Sequence, residues 1–187
     1  MADASGPSVA ARDDLAGVVD LFGWLTRAEL SRALSELAFK QRAEVDEGAI
    51  DAAIDLAVAE YALVPAPSGA LSGGGADDIA NGDGGAGEEG NDESTALAVG
   101  PAAFPTLPAG AEDLPHILDV PDREVDREAL ADAVLERLRE EAVEAINAGD
   151  DDRLETLADV TYDVEAWAPV DVDPVRTRIL AEVDDGA

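Results

Sequence analysis

The chain of 187 residues has no cysteine, one lysine, one histidine, one methionine and seven aromatic side chains. Each shortage removes a class of chemistry. Without cysteine there are no disulfides, thiolate zinc sites, iron–sulfur clusters or cysteine nucleophiles. With only His116 and no nucleophile elbow around a serine, no Ser-His-Asp arrangement can be argued. No Walker A loop and no GxGxxG in its proper setting occur, so nothing points to a nucleotide. No run of eighteen apolar residues exists, so no membrane helix is expected. Residues 1–12 have neither a basic start nor an apolar stretch, so no signal peptide is read there and the expected location is cytoplasmic. Few aromatics mean a thin core of Leu, Val, Ile and Ala. No cofactor and no catalytic residue are expected, and the protein is read as non-enzymatic.

What the chain has in excess is acid: 43 Asp plus Glu against 12 Lys plus Arg, a formal net charge of −31. In an ordinary cytoplasm such a charge suggests a strongly basic partner. In molar salt the Debye length is about 3 Å, so long-range repulsion and steering vanish. The pattern matches the cytoplasmic proteins of a salt-accumulating halophile. The acidity then reads as adaptation for hydration and solubility, not as a binding function.

Along the chain, residues 1–12 are expected as a flexible arm. Asp13 or Asp14 can cap a first helix with Leu15, Val18, Val19 and Phe22 on one face. Thr26 and Glu29 form a capping-box pattern opening a second helix, with Leu25 and Leu30 at the staple positions. Asp46 can cap a third helix, reaching about Tyr61. Two strands follow, near 62–66 and 95–100, paired as a hairpin. Between them, residues 67–94 are glycine-rich and acidic, and read as a disordered linker. Residues 101–121 hold five prolines and read as an extended wrap pinned by Phe104, Leu107, Leu114, Ile117 and Leu118. Asp126 to Gly149 bounds a fourth helix. A short helix around Leu154 follows, then Tyr162, Val164 and Trp167 as an apolar anchor. Asp173-Pro174 opens the last helix.

The expected fold class is α+β, mostly helical. Its N-terminal half, residues 13–66 and 95–100, has the element order of a winged helix: three helices plus a two-stranded hairpin, with the 67–94 linker inside the wing. Residues 101–187 supply the proline-rich wrap and a C-terminal helical extension packed on that half. A winged helix usually reads DNA with its third helix, which needs Lys, Arg, Asn or Gln. Here that helix carries Asp46, Glu47, Asp51, Asp55 and Glu60 and none of those types. High salt screens the repulsion but also removes the counterion-release gain. Direct DNA reading by this helix is therefore not expected.

Four of the twelve cations, Arg27, Arg32, Lys40 and Arg42, lie in or beside the second helix. They are the candidate partner-binding residues. The simpler alternative is a surface ion pair such as Arg32 with Glu36, worth little. Around His116, the acids Glu112, Asp113 and Asp119 invite a metal or acid–base site, but acids this dense fall near any histidine, and a structural histidine is the favoured reading. Asp77 to Asp83 fails the calcium-loop pattern at Ile79. Trp24 and Trp167 read as packing anchors rather than binding hot spots.

The runs Val18-Val19-Asp20-Leu21-Phe22-Gly23, Leu25-Thr26-Arg27, Phe104-Pro105, Leu107-Pro108 and Gly110 through Asp126 resemble a small family of uncharacterised proteins from halophilic archaea. The resemblance spans nearly the whole chain outside the linker. It implies an origin and a cytoplasmic home but no activity. The expected role is a protein–protein interaction module with an unknown protein partner. The alternative is a transcription-related regulator that touches DNA through helix two or within a larger assembly.

Overall fold

Thr26 starts the most sharply defined helix. Its hydroxyl accepts from the Glu29 backbone N–H at 3.2 Å, and the Glu29 carboxylate accepts from the Thr26 N–H at 2.8 Å. The full capping box launches helix α2, Arg27–Lys40. Leu25 and Leu30, at the staple positions, are both completely buried. The computed structural model describes residues 9–42, 46–81 and 93–186. Helix α1, Val9–Asp20, begins ahead of the expected cap. Asp13 and Asp14 lie inside it, where Asp13 instead accepts from the Phe104 N–H at 3.1 Å. Residues 9–12 are thus helical rather than an arm, and 1–8 lie outside the described residues. Helix α3, Glu47–Ala59, follows Asp46, whose side chain makes no capping bond. Tyr61, at φ 59°, turns the chain out of it.

Five short strands follow the helices or precede them: β1 Trp24–Thr26, β2 Leu63–Pro65, β3 Leu71–Gly73, β4 Ala96–Val99 and β5 Arg123–Val125. Strands β2 and β4 pair antiparallel, with Val64 opposite Ala98. The expected hairpin is therefore present, but it is part of a three-stranded sheet ordered β1-β4-β2. Leu25 of β1 faces Leu97 of β4, so the same leucine that staples α2 also completes the sheet. A second, two-stranded sheet pairs β3 with β5.

The expectation of a disordered linker over 67–94 needs correction for its first half. A 3₁₀ turn at Ser68–Ala70, β3 and helix α4, Ala76–Asn81, occupy 68–81. Residues 82–92 lie outside the described residues. Glycine density here serves close approach: Gly73 sits at φ +94°, and a Cβ on it would meet the Asp122 carbonyl oxygen at 2.3 Å. The proline-rich segment also differs from a wrap with all its apolar residues turned inward. Leu114 of helix α5, Leu114–Leu118, is buried, while Phe104, Leu107 and Ile117 are exposed.

The chain divides into two compact units, residues 1–125 and 126–187, and the proline-rich stretch belongs to the first. In that unit Val18, Val19, Leu25, Leu30, Ile54, Leu63, Leu97 and Leu114 form one core. The second unit is three helices: α6 Arg127–Ala148, α7 Asp151–Trp167 and α8 Asp173–Gly186. Asp126 caps α6 by accepting from Glu128 and Ala129, and Gly149 ends it at φ 66°. Asp150 caps α7 by accepting from the Arg153 N–H. That helix is longer than expected, because Val160 and Val164 extend its buried face beyond Leu154 and Leu157. Val175 and Ile179 supply the buried side of α8.

Candidate functional site

The candidate cations all lie on or just after α2, but the fold does not gather them. Arg27 and Lys40 are separated by thirteen residues of helix, about 20 Å of rise. Arg27 is buried; its Nη2 contacts Asp55 Oδ1 at 2.6 Å and donates to the Asp51 carbonyl at 3.2 Å. It therefore serves to fasten α2 to α3. Lys40 donates to Asp113 at 2.8 Å and to the Gly110 carbonyl at 3.1 Å. That hydrogen bond, with the attraction of the ammonium, holds the Asp113 carboxyl below its ordinary range. Arg32 is exposed and has no ion-pair partner among the described residues, Glu36 included. Arg42 is exposed at φ 57°, just past the end of α2.

Arg27 and Arg32 do share one feature, a groove of about 710 Å³ between α2 and α3. Ser31 and Ser35 line its α2 wall, and Glu47, Asp51 and Asp55 its α3 wall, with Glu93 at the end. The Ser35 hydroxyl donates back to the Ser31 carbonyl, so one of the two hydroxyls is already used. The groove walls carry four carboxylates against two guanidiniums, one of them neutralised by Asp55. Its field repels phosphate.

A more tightly built cluster lies at the other side of the α2 start, and no spacing in the sequence announced it. The Arg123 side chain, 5% exposed, holds Glu29 through two bonds of 2.7 and 2.8 Å. It also donates to the carbonyls of Gly74 and Trp24, and its guanidinium lies 3.9 Å from the Trp24 ring centroid. Trp24 is fully buried and donates its indole N–H to the Ser72 carbonyl. Burial pushes the Glu29 carboxyl up, but the Arg123 and Thr26 hydrogen bonds outweigh it and leave the group below its ordinary value. The Arg123 guanidinium and the Trp24 indole spend their donors inside the fold, so the cluster fastens β3, β5 and α2 together.

His116 stands exposed on α5, beside exposed Glu112, Asp113 and Asp119. Asp113 is engaged by Lys40, and Asp119 sits in the left-handed turn ending the helix. Among the described residues no group of three His, Asp or Glu side chains could hold a metal ion. The potential calcium segment falls partly in α4, and its residues 82 and 83 lie outside the described residues. In the second unit, Arg176 stacks 4.3 Å from the Tyr162 ring centroid and donates to Glu165, which holds its proton more firmly than usual. Arg127 lies 5.3 Å from the ring centroid of half-buried Trp167. Trp24 is thus a core residue, whereas Tyr162 is half exposed.

The outward-facing apolar side chains are the remaining feature. Phe39 is 80% exposed and Phe104 76%. No helix among the described residues is long and apolar enough to cross a membrane.

Fold and surface define a mostly helical α+β protein in which Arg27 and Arg123 are buried and ion-paired while Phe39 and Phe104 are exposed. The chain belongs to DUF7109, a family of unknown function, whose model matches residues 13–184. No curated protein and no solved structure matches it.

Proposed function

We propose that the first unit is a winged-helix-like module that binds protein and does not read DNA directly, working without enzymatic chemistry in a salt-rich cytoplasm. Support for the winged-helix assignment comes from the order α1-β1-α2-α3-β2, with β4 returning after β3 and α4, and from the antiparallel sheet β1-β4-β2. The β2–β4 connection would be the wing. The observation that carries the functional reading is the pairing of Arg27 with Asp55 at 2.6 Å. It withdraws a cation from the face where DNA would dock, and it leaves Asp51 and Glu47 exposed beside it. A phosphate backbone there would meet carboxylates, and no counterion release would compensate. Lys40 is neutralised by Asp113 as well. The basic edge is then reduced to Arg32 and Arg42, which leaves contact with DNA through α2 little to rest on. The halophilic setting is supported by the charge of −31 carried with a single lysine.

The test is retrieval of tagged full-length chain from native extract kept in molar KCl, with protein and DNA both identified. A defined protein at constant stoichiometry without enriched DNA supports the proposal. Enrichment of specific DNA fragments sinks it, and returns the protein to a transcription-related role.

A further inference from the structure

The segment Ala103 to Pro108 is unusual in how it is held. It is fastened to α1 at three points, two through its backbone and one through the Thr106 side chain. The Phe104 N–H donates to Asp13 Oδ1 at 3.1 Å, the Thr106 N–H to the Asp13 carbonyl at 3.1 Å, and the Thr106 hydroxyl to Asp14 at 2.9 Å. The Thr106 carbonyl oxygen lies so close to α1 that a Cβ on Gly17 would be 1.9 Å from it. Pro105 and Pro108 fix their own φ, and Phe104 and Leu107, each preceding a proline, are confined to extended backbone. An extended proline-rich strand repeats every three residues. Residues 104–107 are all exposed, Thr106 included, although its side chain bonds back to α1. Ala103 packs on the core and Thr106 bonds to α1, whereas Phe104 and Leu107 point away, 76% and 50% exposed.

Resting on the protein-binding reading above, we propose that residues 103–108 are a pre-formed extended ligand for an aromatic-lined groove on a partner protein. Aromatic grooves bind proline-rich strands because little ordering entropy remains to be lost. Here the scaffold has already imposed that order. The occupant is assigned by the spacing Pro105-x-x-Pro108, with Phe104 and Leu107 exposed beside the two prolines. A second copy of this chain, itself of net charge −31, would bring like charge to the contact. In strong salt, steering is lost and the contact must come from apolar side chains at short range, which is what Phe104 and Leu107 present.

The experiment places photoreactive benzoylphenylalanine at position 107 of the full chain, and in a separate sample at position 32 in α2. Each is irradiated in native extract in molar KCl, and the adducts are mapped to the residue. The expected result is an adduct from position 107 on a different protein, beside aromatic side chains. Its yield should fall about tenfold or more in the Phe104→Ser background and under competition by the synthetic peptide 103–109. An adduct from position 32 but none from 107 overturns this surface while sparing the protein-binding reading; none from either position overturns both. An adduct to another copy of the chain, or one indifferent to Phe104→Ser, also overturns the proposal. Phe104→Ser should melt like the parent, and a lowered midpoint would mean that Phe104 serves the fold instead.

Discussion

Arg123 and Glu29 are 94 residues apart in sequence and meet through two parallel hydrogen bonds of 2.7 and 2.8 Å. One carboxylate thereby does two jobs. Glu29 closes the capping box of α2 through the Thr26 N–H and receives the guanidinium that anchors β5. Such a bidentate fork is specific to arginine. Arg123→Ala would remove the pair, the stacking on Trp24 and the bonds to the Gly74 and Trp24 carbonyls, leaving a part-buried carboxylate behind. The expected loss is about 3–5 kcal/mol, measured by urea unfolding. Arg123→Lys should recover only a minor part, because an ammonium cannot fork. Full recovery by lysine would show that charge alone matters here.

The same carboxylate sets a pH dependence. Its pKa is lower in the fold than the ordinary 4.5. The unfolded chain therefore binds the proton more readily between the two values, and stability rises with pH across that window. The contribution is complete above about pH 4.5 and is lost as pH falls through the folded value. The chain carries forty-two other acids. The informative quantity is thus the difference between parent and Glu29→Gln in molar KCl. That difference should shrink on acidification below pH 4.5 and stay flat above it. A difference that grows on acidification would reverse the sign assigned to Glu29.

Local signals were legible wherever one side chain acts on its own neighbourhood. Thr26 with Glu29, Asp126 and Gly149 marked helix ends that the structure reproduces within a residue. Strand β1 was not legible, because three residues carry no period and Trp24-Leu25-Thr26 reads equally well as the approach to a capped helix. Strand β3 was hidden for another reason: glycines that admit the 121–123 backbone look, in sequence, like a solvated linker. The candidate cations show the same limit. Their clustering along the chain was real, but whether Arg27 faces solvent depended on Asp55, a helix away. Phe104 and Leu107 were read as buried because apolar residues usually are, and nothing local says which side of a proline-rich strand faces out.

Two arginines that line one groove should behave differently. Arg27 is buried with two partners on α3, whereas Arg32 is exposed. Arg27→Ala is expected to cost about 1–3 kcal/mol through lost charge-assisted bonds and packing of its stem. Arg32→Ala should stay within about 0.5 kcal/mol. Thermal midpoints of the two variants decide the matter, and equal losses would mean that the Arg27–Asp55 bond contributes nothing.

Two glycines separate strain from collision. Gly149 stands at φ +66° with nothing within 4 Å of a would-be Cβ. Gly149→Ala therefore costs only backbone strain, about 1 kcal/mol. Gly17 is helical, but its Cβ would fall 1.9 Å from the Thr106 oxygen. Gly17→Ala must push the 103–108 strand off α1 and should cost more than Gly149→Ala. Amide hydrogen exchange at Thr106 should speed up in that variant. Unchanged protection there would mean that the strand tolerates the extra methyl group.

Salt should stabilise this protein, and simple counting fixes the sign. Salt bridges join described residues from Arg12–Glu60 to Arg176–Asp173, and added salt weakens the exposed ones. Yet even if every one of the 12 cations neutralised an acid, 31 carboxylates would remain uncompensated. Their mutual repulsion is greater in the compact state than in the unfolded chain, so screening it favours folding. The most buried guanidiniums, Arg27 and Arg123, are shielded from the opposing loss. The melting midpoint, followed by circular dichroism, should climb from low to multimolar KCl, and most steeply at the low end where the Debye length changes fastest. A midpoint that falls with KCl would mean that the ion pairs outweigh the acid excess, and would remove the support for a salt-rich setting.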